Sequence, residues 1–148
     1  MKTLIAYATR GKATEEHVKE VAKFLRSKDI IVDVVNLRKR EPNIHNYTKI
    51  IIGSGIRAGR IYKEAKEFLK KDFGIKKVAL FVTCMEPEKD ARRKYIDSIL
   101  EMNKSIKPVS TAVFCGRIKI LWKTIADGTE EDKEKVRKWS AEVLKKFK

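Results

Sequence analysis

Two rhythms of apolar residues alternate along the chain. Runs of strand length occupy Thr3–Ala8 (TLIAYA), Ile30–Leu37 (IIVDVVNL), Tyr47–Gly53 (YTKIIIG), Val78–Thr83 (VALFVT) and Pro108–Gly116 (PVSTAVFCG). Between them the apolar positions fall at i, i+3, i+4 and i+7, the spacing that lines one face of a helix. Val18, Val21, Ala22 and Leu25 give that stripe over Glu15–Ser27, with Glu15 and Glu16 placed to complement the dipole of its first turn. Ile61, Ala65, Phe68 and Leu69 give a second stripe, with Gly74 expected as its C-cap. Pro87 suits the first position of a third helix, which is predicted to turn Ala91, Tyr95, Ile99 and Met102 inward. Thr129-Glu-Glu-Asp132 has the capping-box pattern and opens a last helix with Val136, Trp139, Val143, Leu144 and Phe147 on one face.

The order reads as five βα units, with Pro42–Asn46 a loop. Strands apolar on both faces, alternating with amphipathic helices, predict an α/β fold with a doubly wound, five-stranded parallel sheet covered on both sides. Arg117–Gly128 (RIKILWKTIADG) fits neither rhythm. It is too long for a tight turn and too apolar for a solvated loop. Trp122 within it is expected either to cover a ligand site or to be a core residue.

The chain has 148 residues, the length of a single domain 1–148 whose folding buries roughly 70% of its surface. No apolar run approaches the ~18 residues of a membrane span. The first strand begins at once, which leaves no room for a signal peptide, and two cysteines make no disulfide framework. A cytoplasmic setting is the expectation. The net charge of +15 favours acidic partners or anionic cofactors. A chain without Gln and rich in Lys, Glu and Ile also has a thermophile's composition, which accounts for much of that charge without any function. The dense Lys and Arg of 57–77 and 92–94 are interleaved with Glu64, Glu67 and Asp72, as on a solvated helix face.

In such a sheet, ligands bind beyond the carboxyl ends of the strands. Thr9-Arg-Gly-Lys-Ala-Thr14 follows the first strand and leads into the first helix. Two hydroxyls, a turn glycine and two cations beside a helix N-terminus suit a phosphate; the alternative is an ordinary turn with a threonine cap. It is not a P-loop, because Ala6 and Ala13 stand where that motif requires Gly and Ser or Thr. Gly53-Ser-Gly-Ile-Arg-Ala58 matches a dinucleotide pattern literally, yet the next strand ends in Thr83-Cys84 and not in the acid that holds a ribose. Ser54–Arg60 is expected to be a small, flexible loop able to lie against a flat ligand. His17 and His45 have no spaced partners and do not read as metal ligands. Cys84 and Cys115 end successive strands, either as a redox pair or as small buried hydrophobes.

The phosphate-type loop "YATRGKAT", the Gly-rich "IIIGSGIRAGRIYKEAKEFLKK" and the βα order together resemble the flavodoxin family, most closely its members that include the menaquinone-dependent protoporphyrinogen oxidases. The resemblance is strongest over 2–71. It implies strand order 2-1-3-4-5 and FMN as cofactor. It implies that Thr9, Arg10, Gly11, Lys12, Ala13 and Thr14 wrap the FMN phosphate. Ser54, Gly55, Ile56, Arg57, Ala58 and Gly59 would flank the isoalloxazine, and Thr83, Cys84, Met85 and Glu86 would cover its other edge. Lys12 replaces a usual glycine, Ile56 and Met85 stand in for the usual aromatic pair, and Arg117–Gly128 is shorter than the oxidases' insertion. Three functions follow: an electron carrier with an acidic redox partner, an FMN-dependent oxidoreductase acting on a porphyrinogen or quinone, or a cofactor-free module that binds an acidic partner or nucleic acid.

Overall fold

The computed structural model describes residues 2–115, 119–120, 123–124 and 129–148. The principal strands are β1 (Lys2–Ala8), β2 (Val32–Asn36), β3 (Tyr47–Arg57), β5 (Lys77–Cys84) and β6 (Ser110–Cys115), all parallel, in the order β2-β1-β3-β5-β6. Counted without β4 (Arg60–Ile61), which pairs only with β3, this is the expected 2-1-3-4-5.

Helices α1 (Lys12–Ser27) and α5 (Thr129–Phe147) cover one face; α2 (Lys63–Leu69), α3 (Glu88–Ala91) and α4 (Asp97–Met102) cover the other. Strand alternation divides the core accordingly. Leu4, Ile50, Ile52, Leu80 and Val82 face Phe68, Tyr95 and Ile99, while Ile5, Ile51, Phe81 and Phe114 face Val18, Val21, Val136 and Trp139. Phe81, Phe114 and Trp139 meet at centroid distances of 5.4–5.8 Å, and each large side chain so buried contributes roughly 1.5–3 kcal/mol. Gly53 belongs to this packing: a Cβ there would lie 2.2 Å from Phe81 Cζ, so the ring occupies the space the glycine leaves.

Several boundaries differ from expectation. No α-helix joins β2 to β3; a short 3-10 turn (Ile44–Asn46) does, capped by the Asn43 side chain accepting from His45 N–H. The first helix starts at Lys12, three residues early, with Gly11 as N-cap, so Lys12, Ala13 and Thr14 are its first turn. Ser54–Arg60 is not a flexible loop. Strand β3 continues to Arg57, turns at Ala58 and Gly59 and pairs back through Arg57–Arg60 and Ile56–Ile61. Both turn residues have positive φ, 50° and 74°, as a two-residue hairpin turn of the primed type requires. Ile61 is therefore strand, and α2 ends at Leu69, leaving Gly74 beyond a further turn held by the Asp72 carboxylate. Pro87 is the N-cap and not the first residue of α3, and Met102 is exposed.

A five-residue π-helical turn (Arg92–Ile96) joins α3 to α4 and directs both Tyr95 and Ile96 into the core. Arg92 crosses to the outermost strand, donating to the Thr111 hydroxyl at 2.7 Å and carbonyl at 3.2 Å. At the opposite edge Thr3 N–H donates to the Ile31 carbonyl, which turns the Val32 backbone outward; Arg26 of α1 donates to the Val32 carbonyl at 2.8 Å. Trp122 and most of 117–128 lie outside the described residues; of that segment only β7 (Lys119–Ile120) and β8 (Lys123–Thr124) are described, and they pair antiparallel. Helix α5 begins at Thr129, where the capping-box pattern put it, but the box's side chains are outside the described residues.

Candidate functional site

The strand register sets three of the expected segments side by side. Ala8 is opposite Ser54, Gly55 is opposite Thr83, and Cys84 is opposite Cys115. The chain after β1 therefore rises beside the end of β3, which lies beside the end of β5. Thr9, Thr14, Ser54 and Thr83 are all buried, an unusual density of hydroxyls for one sheet end.

Their hydrogen bonds define the turn. Gly11 N–H donates to Thr9 Oγ1 at 3.0 Å, which folds the loop back on itself. Arg10 N–H donates to the Tyr62 hydroxyl at 3.1 Å, and Tyr62 N–H donates to Ser54 Oγ at 3.1 Å, so Tyr62 ties the first loop to the hairpin. Gly55 presents bare backbone to this turn: a Cβ there would stand 2.7 Å from Thr9 Oγ1 and 3.0 Å from Thr14 Oγ1. The N-cap of α1 is a glycine, which has no side chain to supply an acceptor, so the first-turn N–H groups retain their pull on an anion. Two hydroxyls, a helix N-terminus and the cations of Arg10 and Lys12 fit a phosphate monoester.

The hairpin tip carries Arg57 and Arg60. With Arg10, Arg38, Tyr62 and Lys63 they line a groove of about 370 Å³, in which Glu64 is the acid. Sequence reasoning missed Arg38 and Tyr62, because nothing in a linear pattern brings the end of β2 or the start of α2 to the phosphate-type loop.

The third segment is differently occupied. Thr83 Oγ1 lies 2.9 Å from His17 Nδ1, and the imidazole packs on Phe114 at 5.1 Å. His17 is in the second turn of α1 and ties that helix to the end of β5. Glu86 accepts a short hydrogen bond from the Tyr95 hydroxyl, and Lys94 Nζ lies 3.7 Å away. That hydroxyl donor holds the Glu86 carboxyl below its ordinary range, while burial and the carboxylate push the Tyr95 phenol up. Met85 is 52% exposed beside these groups, whereas Ile56 is half-buried against the core. The region from Gly116 onward lies outside the described residues as far as 118. Among the described residues no group of three His, Cys, Asp or Glu side chains is arranged to hold a metal.

Comparison with known proteins bears on the family and the fold. Residues 4–121 match the model of a family described as a flavodoxin domain. The protoporphyrinogen IX dehydrogenase [quinone] of Escherichia coli K12 is 39% identical over 72 residues, 48% of this chain and 40% of that protein. This chain's match thus spans less than half the length of that relative. The fold is that of the oxidised flavodoxin 1 of Bacillus cereus, with a TM-score of 0.72, 20% identity and 98% of each chain covered. A flavodoxin of Fusobacterium nucleatum bound to flavin mononucleotide aligns over all of both chains with a TM-score of 0.65 and 20% identity.

Proposed function

From the premise that this chain belongs to the flavodoxin-domain family, we propose that it binds FMN at the carboxyl ends of β1, β3 and β5 and carries electrons. One observation carries this reading: the bare backbone of Gly55 against the hydroxyls of Thr9 and Thr14 at the start of α1. Thr9, Arg10, Gly11, Lys12, Ala13 and Thr14 hold the phosphate; Ser54, Gly55, Ile56, Arg57, Ala58 and Gly59 line one side of the ring, and Thr83, Cys84, Met85 and Glu86 the other. Bound FMN supplies one- and two-electron redox chemistry, and the protein sets its potential and access. The hairpin is ordered by its own pairing, so it presents a fixed wall to the ring without folding around it.

The redox partner is acidic. Arg10, Arg38, Arg57 and Arg60 gather in one groove on a chain of net charge +15, a field that steers an acidic surface toward this end of the sheet. No helix among the described residues is long and apolar enough to cross a membrane. A second reading, an FMN-dependent oxidoreductase acting on a porphyrinogen or quinone, is favoured by the 39% identity to the Escherichia coli dehydrogenase. Bleaching of the flavin by a porphyrinogen, in the absence of a partner protein, selects it.

The test is titration of the apoprotein with FMN and with riboflavin. If Arg10 and Lys12 reach the phosphate, each contact contributes about 1.5–3 kcal/mol. Lys12→Ala combined with Thr14→Ala should weaken FMN and leave riboflavin nearly unchanged. A preparation that takes up neither ligand overturns the reading in favour of a cofactor-free module.

A further inference from the structure

Cys84 ends β5 and Cys115 ends β6, and the two residues are direct neighbours in the parallel register. Two positions earlier, the register partners Val82 and Val113 both pack on the face covered by α2 and α4. Because side chains alternate along a strand, Cys84 and Cys115 project from that same face. Parallel neighbours lie ~4.8 Å apart, within the span of about 4.4–6.8 Å between Cα atoms that a disulfide bridges. As the last residues of their strands, they are held by the ladder on one side only.

Neither sulfur is in a disulfide, and the two differ in environment: Cys84 is buried and Cys115 is exposed. Packing explains the first and not the second, because an exposed cysteine fills no core space. Cys84 Sγ lies 3.9 Å from the Glu86 carbonyl, turned back toward its own chain. We propose that Cys84 and Cys115 form a thiol–disulfide exchange site, oxidised by low-molecular-weight disulfides, with Cys115 the attacking sulfur and Cys84 the resolving one.

The exchange balances without any other reactant. The Cys115 thiolate attacks one sulfur of a disulfide RS–SR, forming a mixed disulfide and releasing one RS⁻, which takes a proton. Cys84 loses its proton and attacks Cys115 Sγ, forming the Cys84–Cys115 bond and releasing the second RS⁻, which is protonated in turn. Two protein thiols are oxidised and one small disulfide is reduced to two thiols. Burial pushes the Cys84 thiol up to about 11; a backbone hydrogen bond at Glu86 opposes the rise, and the Glu86 carboxylate and Cys115 add to it. The buried sulfur is therefore a poor first nucleophile, and the second step is the slow one. No bound flavin is needed.

The experiment exposes the reduced full-length chain to oxidised glutathione and follows intact mass and a proteolytic map. The wild type should lose two hydrogens and yield one linked peptide containing Cys84 and Cys115, reversed by dithiothreitol. Cys115→Ser should abolish reaction, and Cys84→Ser, or Cys84→Ala if the serine destabilises the core, should stop at a glutathione adduct on Cys115. A wild type that stays reduced, that stops at the adduct, or that links only between chains overturns the proposal. That result would leave FMN binding untouched, so the two readings fail separately.

Discussion

Replacing Gly55 by Ala tests the phosphate-site geometry at its tightest point. The new Cβ would stand 2.7 Å from Thr9 Oγ1 and 3.0 Å from Thr14 Oγ1, against an ordinary contact of 3.4 Å or more. Thr9 must therefore retreat by about 0.7 Å or rotate, since the backbone of β3 is fixed by pairing to β1 and β5. Rotation of one threonine is cheap, so the fold should survive with a loss of about 1 kcal/mol, the typical net contribution of the Gly11-to-Thr9 hydrogen bond. The ligand should lose more. A hydroxyl swung out of place forfeits a charge-assisted bond to the phosphate, about 1.5–3 kcal/mol, or ~10–150-fold in affinity. Riboflavin, which lacks the phosphate, should bind the variant as it binds wild type. Quenching of flavin fluorescence measures both affinities, and urea unfolding checks the fold. Unchanged FMN affinity, or equal losses for FMN and riboflavin, would show that the Thr9 and Thr14 hydroxyls do not face the phosphate.

Three further outcomes are expected. Arg57→Glu places an anion on the hairpin proposed to flank the ring and should lower the hydroquinone couple of the bound flavin by some tens of millivolts, read by redox titration; an equal or higher potential means Arg57 points elsewhere. Gly53→Ala forces a Cβ to within 2.2 Å of the buried Phe81 ring and should lower stability by about 1–3 kcal/mol in urea, while an unchanged midpoint refutes the close packing. Tyr95→Phe removes the donor that lowers the Glu86 carboxyl. The stability from that carboxylate is present above its ordinary pKa of 4.5 and is lost as pH falls through the lower folded value. The difference in Tm between wild type and variant should then be largest near neutrality and narrow as the pH falls below 4.5 and through the lower folded value; a constant gap refutes the linkage.

Much of this architecture was legible because the physics behind it is periodic. Runs such as YTKIIIG and VALFVT could be satisfied only by burial on both faces, and the stripes of α1 and α5 required the same covered sheet. The gathering of hydroxyls at the first loop was legible because Thr9, Gly11 and Thr14 are local to it. The hairpin at Ser54–Arg60 was not. Two glycines suggested looseness, yet Gly55 lets the Thr9 and Thr14 hydroxyls close on its backbone and Gly59 permits a tight turn, and both roles make the segment more ordered. The role of Tyr62 depends on hydrogen bonds to Arg10 and Ser54, 52 and 8 residues away, which no spacing rule reports. His17 was dismissed as a metal ligand, but its place against Thr83 and Phe114 follows only once α1 lies over β5.

Arg26 governs how the molecule behaves in company. An open sheet can lengthen by accepting a strand from another chain, and the side of β2 that faces away from β1 is such a place. Val32 is the first outward-facing position there, and its carbonyl is already taken by the Arg26 guanidinium. In a strand of five residues only Val34 then keeps an outward carbonyl for an incoming backbone, because the Asn36 carbonyl accepts from Lys39 N–H and Arg40 N–H, too little for a stable ladder. The charge that occupies the position also repels a second, equally basic copy. In a concentrated solution, sheet-to-sheet growth is thus checked at its first rung, and Arg26→Ala should remove that check before it alters anything at the opposite end of the strands.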